Sequence, residues 1–333
     1  MKKANKIQIE IILNGQGLVN YNGSQVPFRF KDDMKNNGKV SNNGSFAKEN
    51  IYKTIVLDKD GNEKTSYVYK KIISSNLLRK CILGDENDVN ADKLASNDAL
   101  RVAYLSQDNV IARGYCVLGK SNVDIKRKSG VSVLDAEQIS NTVTWLETRT
   151  AEGKRDDTSL FFKETCGEIK YKSNIYIDIK QLQFVSVDDN YDRISLADGD
   201  VEPFVKQINK RYGENNAHGG NWATTKTNVI GEQGVVLSNK VVNNIIREIV
   251  KKTLDINIKR SGSFAKTESV KIAIGYPGDS INLLSKPNFV EINAIEDYDK
   301  LVEDIEFGVD FLPIEVPVIE KIEKKSKKEV VND

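Results

Sequence analysis

The sequence predicts an α+β fold in the order βαββαβ, the split arrangement of ferredoxin-like and RNA-recognition-like domains. Three observations carry this expectation. Residues 6–13, KIQIEIIL, alternate apolar and polar side chains as a half-buried strand does. Residues 239–254 repeat Val241, Val242, Ile245, Ile246, Ile249 and Val250 at helical spacing, a broad apolar face behind an Asn cap. Residues 269–276, SVKIAIGY, close the order as a final strand.

The remaining elements follow along the chain. The glycines of GQGLVNYNG mark a turn-rich connection after the first strand. Residues 24–74 read as an insertion, Asn- and Gly-rich at first, then a hairpin of IYKTIVL and EKTSYVYKKII about Asp60-Gly61. Serines before residues 75–83 cap a helix, and Leu94, Ala95, Ala99, Val102 and Ala103 predict one helix over 92–107. NVIARGYCVL, residues 109–118, reads as the second strand of the order and LQFVSV, 182–187, as the third. A short helical piece is expected near 133–140, a further strand over 169–179 and a helix over 200–212. Residues 1–290 are thus expected to form one domain with long insertions at 24–74 and about 120–168, followed by an acidic segment and a charged tail over 291–333.

A chain of 333 residues, 39% hydrophobic, is long enough to bury a sizeable core. It has no run of eighteen apolar residues, and its N-terminus lacks the small-residue cleavage site of a secretory signal, so a cytoplasmic location and no membrane association are expected. Three scattered cysteines, Cys81, Cys116 and Cys166, suggest neither a disulfide framework nor a metal knuckle. The net charge of +1 hides an asymmetry. Residues 291–320 hold ten acids against Lys300 alone, a local −9, and residues 321–333 carry +2, so residues 1–290 carry +8. A basic body fits a polyanion partner.

Several motifs compete for the chemistry. GYCVLGKS, residues 114–121, satisfies GxxxxGK[ST], which would place Lys120 on nucleotide phosphates and Ser121 on magnesium. Its middle residues are strand formers and no amphipathic helix follows, so a strand is the expectation and a phosphate-loop NTPase the alternative. The single His218 leaves little room for histidine-based metal sites or triads. GSFAK occurs twice, at 44–48 and 262–266. A low-complexity background accounts for the repeat, and the other reading gives each copy an aromatic and a lysine for nucleic acid. Basic pairs and triplets recur at Arg79-Lys80, Lys126-Arg127-Lys128, Lys154-Arg155, Lys210-Arg211 and Lys259-Arg260. Together with nearby aromatics they favour a single-stranded nucleic-acid path. In KRDDTSLFFKETCGE, the consecutive Leu160, Phe161 and Phe162 match neither strand alternation nor helical spacing.

GQGLVNYNG, ARGYCVL and, above all, KRDDTSLFFKETCGEIKYKSNIYIDIKQLQFVSVDDNYDR resemble the backbone subunit of type I CRISPR surveillance complexes, closest to the minimal type I-F variant. The likeness covers most of residues 6–276. It implies a right-hand shape: an RNA-recognition-like palm, fingers at 24–74, and a β-hairpin thumb around 148–168 that reaches over the next subunit. The implied function is non-enzymatic. Copies would polymerise along the crRNA as a helical filament and present it for pairing with target DNA, alongside other Cascade subunits. No cofactor or metal is implied. Leu160, Phe161 and Phe162 would then form the thumb wedge, with Lys154 and Arg155 on phosphates. The likeness makes Arg79, Lys80, Arg113, Asn20 and Tyr21 candidate RNA contacts, to which charge alone adds Lys126 and Arg127. Type III relatives also cut target RNA with a metal-dependent acid, a role that Asp156 or Asp157 could fill here.

Overall fold

The computed structural model describes residues 3–21, 35–36, 39–40, 44–84, 91–118, 124–150, 160–187, 194–224, 231–260, 262–279 and 288–314. The first strand, β1 (Lys6–Gln16), buries Ile7, Ile9, Ile11 and Leu13 as its alternation predicts. Three two-residue strands follow, β2 (Lys35–Asn36), β3 (Lys39–Val40) and β4 (Gly44–Ser45). The expected hairpin forms from β5 (Glu49–Leu57) and β6 (Glu63–Ile73) around Asp58, whose Oδ1 accepts from the backbone N–H groups of Asp60 and Asn62. This ribbon leaves Ile51, Ile55, Leu57 and Tyr67 more than half exposed, an apolar surface of the kind that marks a partner.

Helix α1 (Ser75–Leu83) matches the predicted span. The single helix expected over 92–107 is instead two, α2 (Ala91–Ser96) and α3 (Asp98–Leu105). Asn97 divides them because its side chain accepts from the Leu100 N–H at 3.0 Å, an N-cap that restarts the helix. In α3, Arg101 is buried and holds Asp200 through two 2.8 Å bonds.

The expected second strand, 109–118, is a correction of type. Its first half is helix α4 (Asp108–Arg113), ended by Gly114 at φ +73°, and only β7 (Tyr115–Leu118) is extended. Burial of Val110, Ile111 and Ala112 overrides their strand-like run. β7 pairs antiparallel with β8 (Asp124–Arg127). A phosphate loop requires a strand leading into a helix; here a strand leads back along a strand. Lys120 and Ser121 lie outside the described residues.

Residues expected to be helical near 133–140 are strands, β9 (Val131–Val133) and β10 (Ala136–Gln138). Next come β11 (Thr144–Thr150), β12 (Leu160–Cys166) and the long β13 (Glu168–Asp178). The strand expected at 182–187 is in part α5 (Ile179–Gln183), leaving β14 (Phe184–Ser186). Asp178 starts α5 by accepting from the Gln181 N–H, which turns the chain out of the large sheet. A short 3-10 turn at Asp198–Asp200 leads into α6 (Val201–Tyr212), followed by β15 (Ala217–Ala223) and β16 (Glu232–Leu237). Helix α7 (Asn239–Leu254) buries all six predicted apolar residues, but its cap is Ser238, which accepts from the Val241 N–H. The chain then forms β17 (Asn257–Arg260), β18 (Ser263–Gly275), β19 (Val290–Ile292), α8 (Ile295–Val302) and β20 (Leu312–Pro313).

Among the described residues the largest sheet runs β17-β18-β1-β13-β10-β6-β5, with β9 added to β13 and β19 to β18. Every pairing in it is antiparallel. The core of this mixed α and β fold lies where α1 and α7 pack together against the sheet. A separate sheet, β14-β16-β15-β20, stands beside it. The acidic stretch is laid onto this body: β19 lengthens the sheet, Arg247 grips Asp299 at 2.7 and 2.8 Å, and Lys3 bridges Glu306 and Asp310 at 2.8 Å. No described helix is long and apolar enough to cross a membrane.

Candidate nucleic-acid interface

The glycines at the end of β1 and just beyond it are needed because another segment lies against them. A Cβ on Gly15 would stand 2.3 Å from the Phe264 carbonyl oxygen, and one on Gly17, at φ +71°, 2.3 Å from the Ser263 Oγ. The chain can therefore run directly under the β17–β18 turn. Leu18 and Val19 then anchor it in the core, and Asn20 donates from Nδ2 to the Ile72 carbonyl at 3.3 Å.

Tyr21 stands where three segments meet. Its backbone bridges Ala47, its hydroxyl donates to the Glu164 carbonyl of β12 at 3.4 Å, and its ring has the Lys163 ammonium 5.8 Å and the Arg260 guanidinium 5.4 Å from its centre. Both are cation–π distances. Burial pushes the phenol pKa up to about 12, so near neutral pH it remains a hydrogen-bond donor. Beside it, Lys259, Arg260, Phe264 and Lys266 line a concavity of about 530 Å³ with no acid in its lining. Three cations lining a concavity with the half-buried Phe264 ring match what a phosphodiester strand with a stacked base requires.

Both GSFAK segments flank this site without being equivalent. Ala47 of the first bridges Tyr21, yet its Phe46 is 1% exposed and belongs to the core. The second forms the turn, with Ser263 buried, Phe264 half-buried and Lys266 exposed.

Next to Tyr21, β11 and β12 form a hairpin in which Thr148 pairs with Phe162, Arg149 with Phe161 and Thr150 with Leu160. Phe162 is half-buried; of the Leu160 and Phe161 side chains nothing is described. Lys154 and Arg155 lie outside the described residues, as do Asp156 and Asp157.

The other candidate contacts sit on different elements. Arg79 donates to the Arg113 carbonyl and Arg113 donates to the Gly84 carbonyl at 2.9 Å, so these two guanidinium groups tie the C-terminal ends of α1 and α4 together. Lys80 is exposed in the last turn of α1. Lys126 forms an ion pair with Asp124 at 3.0 Å and lines a cleft of about 600 Å³ with Lys128, Lys180, Asp178 and Glu232.

Arg127 requires a correction. It is 4% exposed and donates to the carbonyls of Ile111, Phe184 and Leu182 at 3.1, 2.7 and 3.3 Å, and to that of Gln181. These bonds lock α4 to α5 and β14 from within. A guanidinium spent on buried carbonyls is unavailable to phosphate.

Sequence reasoning missed Lys163, Glu164 and Lys71 and grouped Arg260 only as one basic pair among several. Strand phase carries a signal for Arg127, which is two residues from the buried Ile125, and for Lys71, two from the buried Ile73. No local pattern brings Lys163 to Tyr21.

Compared with known proteins, the chain matches the model of the family described as Type I-Fv CRISPR-associated protein Cas7fv-like over residues 4–301. Among curated proteins none matches the sequence. Similar solved structures include a Csm3–Csm4 subcomplex of the type III-A CRISPR-Cas interference complex, at 11% identity and a TM-score of 0.31, covering 92% of this chain and 100% of that one. Two CRISPR RNA-guided surveillance complex chains, one of them pre-nicking, align at 12% and 10% identity with TM-scores of 0.30 and 0.32. They cover 92% of this chain and 86% and 90% of theirs.

Proposed function

We propose, from the premise that this chain belongs to the Cas7fv-like family of type I-Fv CRISPR-associated proteins, a division of labour among its parts. The protein is a crRNA-binding backbone subunit of a CRISPR surveillance complex, with other subunits of that complex as partners and target DNA engaged through the guide. The strands β18, β1 and β13 with β9 and β10, taken with α1 and α7, are its ferredoxin-like palm; their order along the chain, βαββαβ, and their antiparallel neighbours support this reading. The fingers are residues 24–74, of which the described part is chiefly the β5–β6 ribbon, and the thumb is the β11–β12 hairpin. The protein coats the guide without cutting it, holding backbone and shape while base pairing reads sequence. Its exposed apolar ribbon supports assembly with further copies.

The observation that carries the reading is the convergence on Tyr21. The glycine loop, the thumb strand β12 and the cationic β17–β18 turn meet there, so one site joins the palm to the element that would reach a neighbour. The experiment is RNA binding against salt. Replacing both Lys259 and Arg260 with Ala should weaken single-stranded RNA binding at every sequence and flatten the slope of log affinity against log salt by roughly 0.7 per lost contact. A double variant with the wild-type slope would remove this turn from the RNA path. The phosphate-loop alternative predicts otherwise for Lys120→Ala, which should leave folding and nucleotide turnover unchanged here; an ATPase activity abolished by that substitution would restore the alternative.

A further inference from the structure

Among the described residues, the β11–β12 hairpin has few backbone ties to the rest of the molecule. It belongs to a three-stranded sheet whose other member is the two-residue β4, apart from the large sheet. β12 leaves β13 at Gly167, where a Cβ would meet nothing within 4 Å. Side chains at its base must therefore fix the angle of the hairpin. Glu164 of β12 is fully buried, and its carboxylate accepts from the Ala47 N–H at 2.9 Å and forms an ion pair with Lys71 of β6. The Lys71 ammonium also meets Glu49 of β5 at 3.0 Å, with side chains of all three residues one-tenth exposed or less. One lysine thus joins both strands of the ribbon to the hairpin.

We infer that Lys71 and Glu164 are positioning residues that set the hairpin against the β5–β6 ribbon, and so set where the hairpin of one copy meets the next copy on RNA. The second half rests on the reading of the hairpin as the thumb. Neither residue needs to touch RNA. A buried ion pair is poor evidence of stability, because an apolar pair of the same size often stabilises as well or better; what it supplies is direction, since its partners must meet in one geometry.

The test is the full chain carrying Lys71→Met with Glu49→Gln and Glu164→Gln, which removes all three buried charges while keeping volume and an acceptor for Ala47. Its Tm should stay within about 3 °C of wild type, whereas Lys71→Met alone, which takes the ammonium from both Glu49 and Glu164, should lower it. Amide hydrogen exchange should rise tenfold or more for residues 144–147 and 163–166 and stay unchanged in β1, β13 and β18. Affinity for a short single-stranded RNA should be unchanged and cooperative assembly on a long one lost. Unchanged exchange in the hairpin would overturn the positioning role, and so would a rise throughout the large sheet with a lowered Tm, the mark of general support. Faster hairpin exchange with cooperativity intact would keep the positioning role within the chain and remove the thumb reading instead.

Discussion

Replacing Phe161 and Phe162 together with Ser should abolish cooperative assembly on long RNA while a single subunit still folds and binds short RNA. Phe161 stands opposite Arg149 and the half-buried Phe162 opposite Thr148 in the β11–β12 hairpin, with Gly44 of β4 on the other side of Phe162. A wedge that stacks on a base contributes about 1 to 3 kcal/mol per base. Its removal should cost about 10- to 100-fold in the affinity of each added copy, with the salt dependence unchanged because no cation is touched. Regularly spaced reactive nucleotides in chemical probing should disappear. A sharply lowered melting temperature with aggregation of the lone subunit would instead assign both rings to their own core.

Arg127→Ala should act in the opposite sense, on stability and not on RNA. The substitution strips hydrogen bonds from carbonyls of α4, α5 and β14 that are buried around the guanidinium. A buried carbonyl that loses its donor costs about 1 to 3 kcal/mol, and several lost together should lower Tm by roughly 5 to 15 °C. Arg127→Lys should rescue little, since an ammonium cannot span acceptors that a planar fork reaches. The folded fraction should bind RNA as wild type does. A variant with normal Tm and weakened RNA binding would return Arg127 to the phosphate path.

How far the fold could be read from sequence depended on the range of the interaction that decides each element. β1 and α7 carry their own periodic apolar faces, and the β5–β6 turn carries Asp58, Asp60 and Gly61 within a few residues of one another. Those were legible. The second and third strands of the order were misplaced because short apolar runs fit helix and strand equally well. Residues 110–112 became helical through packing, and 131–138 became extended by pairing with β13 and β6, partners far away in sequence. Asn97 had the residue type of a cap, but the periodic residues on both sides read as one helix.

The site divides in the same way. Tyr21 and Asn20 were proposed through the glycine loop, whose tight approach to Ser263 and Phe264 requires those glycines. Arg127 was misread because charge was counted without strand phase; Ile125 and Arg127 share the inward face of β8. Glu164 looked like one acid among charged neighbours, and its meeting with Lys71 depends on a contact 93 residues apart in the chain. The acidic stretch announced its charge but not its role, which lies in the pairing of β19 with β18 and in the grip of Arg247 on Asp299.

The measurement that bears most directly on the central claim is the RNA carried by the protein when it is purified from its host. A backbone subunit on a guide should come with a discrete small RNA, protected from nuclease along its length and reactive at evenly spaced nucleotides. Protein free of RNA, or bound to a heterogeneous mixture without periodic reactivity, would contradict it.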